Sequence, residues 1–357
     1  MADVIKSEWY EHMHNDKASL YKVVSQLRSN LAPLTETRLQ DFHDLLLHLA
    51  RGHASEDQIG QEEHRRGLLK DIVEQKNAEA FLVVSSERAI TVAAATYYNS
   101  LQGLHLEDLV VTPKTQTIGA GVLAMAGLAQ IAVQREAGAV IWECSADNQS
   151  ALRFYEKLGS VCESDRHTWR LMGPIKTQLS LTDLREQFVL NAHFVAKPVP
   201  VVSGHEQPSE LHHIQITAQK HDGSAFGEIQ ASRSYSTFRV VQGMHIEAVV
   251  APAEKPELLA GLIEQAGASQ RQFGWHGHTD ITVQKGQESS LGPVLERYGF
   301  EPLCYGESRM LTFTLSGQAL QDLAASPQRN LLAGLNIPAA SRPVAQPTVN
   351  GTVHLIQ

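Results

Sequence analysis

Apolar and polar positions along this 357-residue chain follow two rhythms. AFLVVSS (80–86), ITVAAATYYN (90–99) and LHLEDLVVT (104–112) are short apolar or alternating runs bounded by turn residues, and they read as strands. Ahead of them, LAPLTETRLQDFHDLLLHLA (31–50) gives a short strand, a cap at Thr35 or Thr37, and a helix with Leu39, Phe42, Leu45, Leu46 and Leu49 on one stripe. The charged run 54–76 also reads as helical. Pro113 ends the third strand, and the run 119–138 is a strong helix pattern that stops at Gly138. AVIWECSA (139–146) is a strand, 148–159 a helix ended by Gly159, and HTWRLMG (167–173) a closing strand. The order predicts a mixed α/β layer fold around one sheet.

The pattern then repeats. Residues 197–208 are rich in Pro and Gly and read as linker. Strands at 211–219, 225–235 and 244–252 follow, then a helix at 258–274, a strand at 279–285, a helix at 290–299 and a strand at 309–315. Leu20, Val23, Val24 and Leu27 mark a helix in an N-terminal extension compatible with a homodimer contact, and the Pro-rich residues after about 316 read as a partly mobile tail. The expected organisation is an extension (1–30), a first domain (31–175), a linker (176–210), a second domain (211–316) and a tail (317–357).

Composition narrows the class. With 30 Lys+Arg against 39 Asp+Glu the formal charge is −9, which speaks against sequence-independent nucleic-acid binding and is compatible with a cationic small substrate. The most apolar run, 119–133, is too short to span a bilayer, and the first residues show no secretory pattern, so no membrane partner is expected. Three scattered cysteines suggest neither a disulfide framework nor a CxxC metal pair, and suit a reducing cytoplasm. The 17 histidines include the pairs His12/His14, His212/His213 and His276/His278, but none completes a ligand set, and no metal is expected.

Most chemical information lies in 104–159. Gln116-Thr-Ile-Gly119-Ala-Gly121 stands between a strand and a helix, where glycines let backbone approach a ligand and the helix start presents unpaired N–H groups. Alone, it reads as a phosphate cradle or a plain turn; it matches neither the dinucleotide fingerprint nor the Walker loop. Together with Leu106-Glu-Asp-Leu-Val-Val-Thr-Pro113, Asn148 with Ala151, and Phe154-Tyr155-Glu-Lys-Leu-Gly159, the segment resembles the GNAT superfamily of acyl-CoA-dependent N-acetyltransferases, most closely its diamine and thialysine branch. The resemblance covers about 31–173.

It implies acetyl-CoA as co-substrate. The backbone of Leu109, Val110 and Val111 would meet the pantetheine arm, and Gln116, Thr117, Ile118, Gly119, Ala120, Gly121 and Val122 would wrap the pyrophosphate. Asn148 would contact pantetheine or the adjoining backbone. Tyr155 would protonate the leaving thiolate, and Glu107 would act as base or hold a water. Asp108 and Trp169 would stand near the amine, although strand alternation sends Asp108 to the face opposite Glu107. Gln116 and Ile118 replace basic residues frequent in the family, which implies modest coenzyme affinity. Cys144 reads as an inert core thiol or an acyl carrier.

Leu104-His-Leu-Glu-Asp-Leu-Val-Val-Thr-Pro113 is echoed by Met244-His-Ile-Glu-Ala-Val-Val-Ala-Pro252, and Arg153–Gly159 by Pro293–Gly299. The copy retains Glu247, lacks the glycine cradle and has Leu295 at the tyrosine position. It therefore reads as a degenerate GNAT fold that shapes the substrate cleft or an interface. The expected activity is acetyl transfer to a primary amine of a polyamine, diamine or lysine-like molecule in a ternary complex. Its rivals are transfer to an antibiotic or a protein lysine, and a non-catalytic acyl-CoA sensor or scaffold.

Overall fold

The computed structural model describes residues 29–51, 59, 61–85, 90–112, 119–176, 193–198, 213–220, 222–250, 256–305 and 308–335. The first half runs β1 (Ser29–Pro33), α1 (Leu39–Arg51), α2 (Glu62–Leu68, continued by a π-helical stretch, Leu69–Glu74), β2 (Glu79–Ser85), β3 (Thr91–Ser100), β4 (Gly103–Val111), α3 (Ala120–Gln134), β5 (Ala139–Ser145), α4 (Gln149–Leu158), β6 (Val161–Glu163) and β7 (Arg166–Met172). The second half runs β8 (His193–Pro198), β9 (His213–Gln219), β10 (Ala225–Ser236), β11 (Val241–Val250), α5 (Pro256–Phe273), β12 (His278–Gln284), α6 (Glu288–Arg297), β13 (Glu301–Pro302), β14 (Cys304–Tyr305), β15 (Ser308–Ser316) and α7 (Gly317–Ala325).

These elements build two mixed sheets, ordered β1-β2-β3-β4-β5-β15-β14, with β6 also on β15, and β13-β7-β12-β11-β10-β9-β8. The apolar stripe of α1 seals one face of the first sheet together with α2 through Phe42, Leu46, Leu68 and Ile72. Helix α3 is buried on nearly every side because it lies between the other face and α7. The second sheet packs α5 and α6 on one face through Leu258, Leu262, Ile263, Leu291 and Leu295.

The halves exchange their last strands. Arg166–Met172, expected to close the first sheet, pairs antiparallel with β12 of the second. The first sheet is closed instead by β15, whose Met310–Ser316 pairs antiparallel with Ser145–Ala139 of β5. Each run is an alternating strand suited to either edge, so local pattern does not dictate which sheet receives it. The exchange interlocks the two cores.

Two further expectations change. Within the expected linker, His193–Pro198 is an edge strand on β9. Within the expected tail, Leu320, Leu323, Leu331 and Leu332 pack on the first core, and Gln130 donates to the Ala324 and Arg329 carbonyls. The N-terminal helix at 20–27 and residues 336–357 lie outside the described residues.

Candidate active site

A bulge in β4 organises the site. Tyr97 pairs with Leu106 and Thr96 with Asp108, so Glu107 is the extra residue. The bulge shifts the pleat: Leu104 and Leu106 face the first core, whereas Val110 joins the α1–α2 side. Asp108 is therefore turned toward the second half, where the Thr237 hydroxyl donates to it at 2.6 Å. Strict alternation would have separated the two carboxylates; across the bulge the Asp108 charge adds to the cost of ionising Glu107. Burial, then Asp108, pushes Glu107 well above the usual carboxylate range; burial raises Asp108 against the bond from Thr237.

Beside the bulge the sheet opens. β4 and β5 are parallel and paired only at Leu104–Val140 and His105–Ile141. Beyond these pairs the strands part: Leu109, Val110 and Val111 stay paired with β3, and their β5 side has no ladder partner. At the mouth of that gap Gly119 caps α3 with φ 84°, a left-handed conformation natural to glycine. Ala120, Gly121 and Val122 form the first helical turn, whose N–H groups have no intrahelical acceptor. This open strand and helix start fit the pantetheine and pyrophosphate of a coenzyme A thioester. Gln116, Thr117 and Ile118 lie outside the described residues.

Tyr155 rises from α4 beside β5. Its ring centre lies 4.9 Å from Trp142, 5.3 Å from Phe154 and 5.4 Å from Phe313. Phe313 belongs to the exchanged strand β15, so the second half helps seat this tyrosine. Burial raises the phenol's pKa, with Cys144 adding to the shift. Tyr155 thus remains an O–H donor at neutral pH, better suited to hydrogen-bond a developing thiolate than to ionise. Burial also pushes the Cys144 thiol up to about 11, which disfavours the acyl-carrier reading. Asn148 is exposed and caps α4 by accepting from Ala151 N–H at 3.1 Å.

Past α1 and α2, the face opposite α3 turns polar at β4 and β5 and is shared by both halves. His105 bonds Glu143 at 3.1 Å and stacks on Tyr98, with ring centres 4.7 Å apart. Burial opposes its charge, but Glu143 overrides this and raises the His105 pKa to about 9. The His245 ring meets His105 edge-on at 5.6 Å, and burial lowers the His245 pKa. Arg170 grips Asp280 through two bonds of 2.7 and 2.6 Å. A small crevice between the halves, with room for about one water, has Ser100, Glu143, Arg166, Glu247 and Thr282 in its walls.

The second half carries a corresponding bulge in β11. Ala231 pairs with Ile246 and Gln230 with Ala248, making Glu247 the extra residue, as Glu107 is in β4. Glu247 accepts from the backbone N–H groups of Leu101 at 3.1 Å and Gln102 at 3.3 Å, and from the Ser232 hydroxyl. It clamps the β3–β4 turn. Trp169, expected near the amine, is not brought to the site. The exchange of β7 places it in the second core against Gly292 of α6. Sequence reasoning missed His105, Glu143, Arg170 and Asp280; the recurrence of His two residues before Glu in both halves was the available signal. Among the described residues no three His, Cys, Asp or Glu side chains converge as a metal site, and no helix is long and apolar enough to cross a membrane.

Residues 42–160 match the model of the acetyltransferase (GNAT) family. The match spans about a third of the chain and supports acyl transfer from acetyl-CoA. No curated protein matches the chain. Similar solved structures include a tandem GNAT protein from the clavulanic acid biosynthesis pathway, 14% identical over 81% of this chain and 98% of that one, with a TM-score of 0.41. A GCN5-related N-acetyltransferase from Sphaerobacter thermophilus is 15% identical over 81% and 96%, with a TM-score of 0.39. Spermidine N-acetyltransferase from Vibrio cholerae, solved with CoA and spermine, is 14% identical over 39% and 83%, with a TM-score of 0.34.

Proposed function

We propose that the protein transfers the acetyl group of acetyl-CoA to a primary amine of a small polyamine, diamine or lysine-like molecule, in a ternary complex formed in the cytoplasm. The observation that carries this reading is the gap between β4 and β5 with Glu107 on its bulge and Tyr155 beside it. The thioester lies in the gap, with Leu109 to Val111 along the pantetheine and the start of α3 at the diphosphate. The amine enters from the shared polar face.

An alkylammonium has a pKa near 10.4, so only about one molecule in 10³ is nucleophilic at pH 7, a barrier of roughly 4 to 5 kcal/mol. Glu107 offsets part of it. A carboxylate raised by burial and by Asp108 is a stronger base than a solvated one, and its pKa lies closer to that of the amine. Glu107 takes the amine's proton, directly or through a water. The nitrogen then adds to the thioester carbonyl and sheds its second proton to solvent, the C–S bond breaks, and the leaving sulfur receives the Tyr155 hydrogen bond before solvent supplies its proton. Cys144 takes no part. The second half contributes walls rather than a second catalytic centre, since Leu295 stands where α4 carries tyrosine.

The test is release of CoA thiol from acetyl-CoA with spermidine, putrescine, lysine, an aminoglycoside and a peptide lysine, for wild type and Tyr155→Phe. Turnover confined to small amines and slowed by the substitution supports the reading. Acetyl-CoA binding without turnover of any amine favours the sensor alternative.

A further inference from the structure

Glu107 and Asp108 are chain neighbours at the β4 bulge, yet only one of the two carboxylates is given a donor. The Thr237 hydroxyl donates to Asp108 Oδ2 at 2.6 Å, with Thr237 fully buried and Asp108 4% exposed. Among the described residues no other group bonds the Asp108 carboxylate, and Glu107 makes no hydrogen bond. The donor comes from the other half of the chain, 129 residues away, in the turn between β10 and β11. That turn is fixed against the first half. The Thr237 carbonyl meets the His64 ring of α2 at 2.7 Å, and Tyr235 and Val240 pack among α1 and α2. The hydroxyl is thus held where Asp108 lies.

A hydrogen bond donated to a carboxylate favours its ionised form, and a negative charge next to a second carboxyl disfavours ionisation there. Of two adjacent carboxyls, the bonded one therefore ionises first, and the other keeps its proton to higher pH. We propose that Thr237 is a positioning residue for acetyl transfer: its bond holds Asp108 in the charged form, and the charge on Asp108 makes Glu107 the stronger base. The inference rests on the acetyl-transfer reading, in which Glu107 takes the amine's proton. It gives the second half a part in the chemistry without a catalytic group of its own. The electrostatic directions agree: Thr237 lowers the Asp108 pKa against burial, and Asp108 adds to burial in raising that of Glu107. The other groups facing the pair come from β3, β4, β7, β10, β12 and α2. His105 and Arg170 favour an ionised Glu107, and Asp280 opposes it. Burial keeps the Tyr98 and Tyr235 phenols protonated and lowers the His64 pKa.

Thr237→Val removes the hydroxyl at similar volume, and Thr237→Ser keeps it. The acid limb of the kcat/KM profile, read by thiol release, reports ionisation of Glu107. In Thr237→Val, Asp108 holds its proton to higher pH and Glu107 loses its charged neighbour. The limb should move to lower pH by about one unit, the scale of one bond to a charged group. Thr237→Ser should return it toward the wild-type position. Asp108→Asn should shift the limb in the same direction, and adding Thr237→Val to that variant should move it no further. NMR titration of the carboxyl carbons reads the same order without turnover. Asp108 should ionise before Glu107 in the wild type, and the two steps should converge or invert in Thr237→Val. A merely structural role would lower the folded fraction and leave both readouts in place. An unshifted limb with an unchanged titration order in Thr237→Val, or a further shift in the double variant, overturns the proposal. Acetyl-CoA binding without thiol release from any amine overturns the acetyl-transfer reading, and the NMR order then still decides whether Thr237 controls the pair.

Discussion

Glu107 and Glu247 occupy corresponding bulges in β4 and β11, yet their surroundings differ. Glu247 is buried and accepts three hydrogen bonds, from the Leu101 and Gln102 N–H groups and the Ser232 hydroxyl. Glu247→Gln replaces one accepting oxygen with a donor. With the new NH2 at the Oε2 position, the Gln102 N–H faces a donor and is left unsatisfied. Losing a charged acceptor is worth roughly 1.5–3 kcal/mol, and stranding a buried N–H costs about 1–3 kcal/mol, overlapping penalties that together give about 2–4 kcal/mol. Glu107 makes no hydrogen bond among the described residues, and burial beside Asp108 penalises its charge. Glu107→Gln therefore leaves stability nearly unchanged or improves it slightly, while it removes the proposed base. Urea unfolding with an unchanged m-value reads the first effect, and thiol release per folded molecule reads the second. The expected pattern is a lowered midpoint with retained turnover for Glu247→Gln, and a retained midpoint with turnover about 10²–10⁴-fold lower for Glu107→Gln. The reverse pattern would refute the assignment of roles.

Three further outcomes follow from the geometry. Phe313→Ala removes the exchanged strand's contact with Trp142 and Tyr155, costing about 3–5 kcal/mol in stability and slowing transfer, measured by thermal unfolding and thiol release. In Gly67→Ala, the new Cβ would stand 2.6 Å from Val240 Cγ1, so overpacking of about 1–3 kcal/mol outweighs the helical gain of alanine and disturbs the β10–β11 turn; acceptor KM should rise while acetyl-CoA affinity holds. The His105 pKa is raised to about 9 in the folded chain, so its pairing with Glu143 stabilises the fold fully below the unfolded value near 6.5 and loses that effect as pH rises through about 9. Unfolding at pH 6 and pH 9.5 should differ by up to about 3 kcal/mol from this pair, and His105→Gln should flatten the difference.

The sequence carries the elements well and their partnerships poorly. Helix α3, bounded by a glycine-rich turn at one side and Gly138 at the other, and the strand at 104–112 are legible because hydrophobic period and breakers agree there. The bulge at Glu107 is not, because an inserted residue breaks the alternation used to assign faces, and Asp108 is then placed on the wrong side. The exchange of β7 and β15 is also hidden, since both runs satisfy a closing strand equally and the choice lies in contacts more than a hundred residues apart. Trp169 is misplaced with its strand. The Arg170–Asp280 pair, separated by 110 residues, leaves no local mark. The Pro-rich end dominates the reading of the tail, although Leu320, Leu323, Leu331 and Leu332 already carry an apolar stripe.

The central claim is that one donor site, in the gap between β4 and β5, serves a chain whose second half supplies walls. Calorimetric titration of acetyl-CoA into the intact protein tests it most directly. The account predicts one equivalent bound per chain, with affinity reduced when Gly119→Val strains the left-handed cap of α3. Two equivalents, or one equivalent indifferent to Gly119→Val, would contradict it.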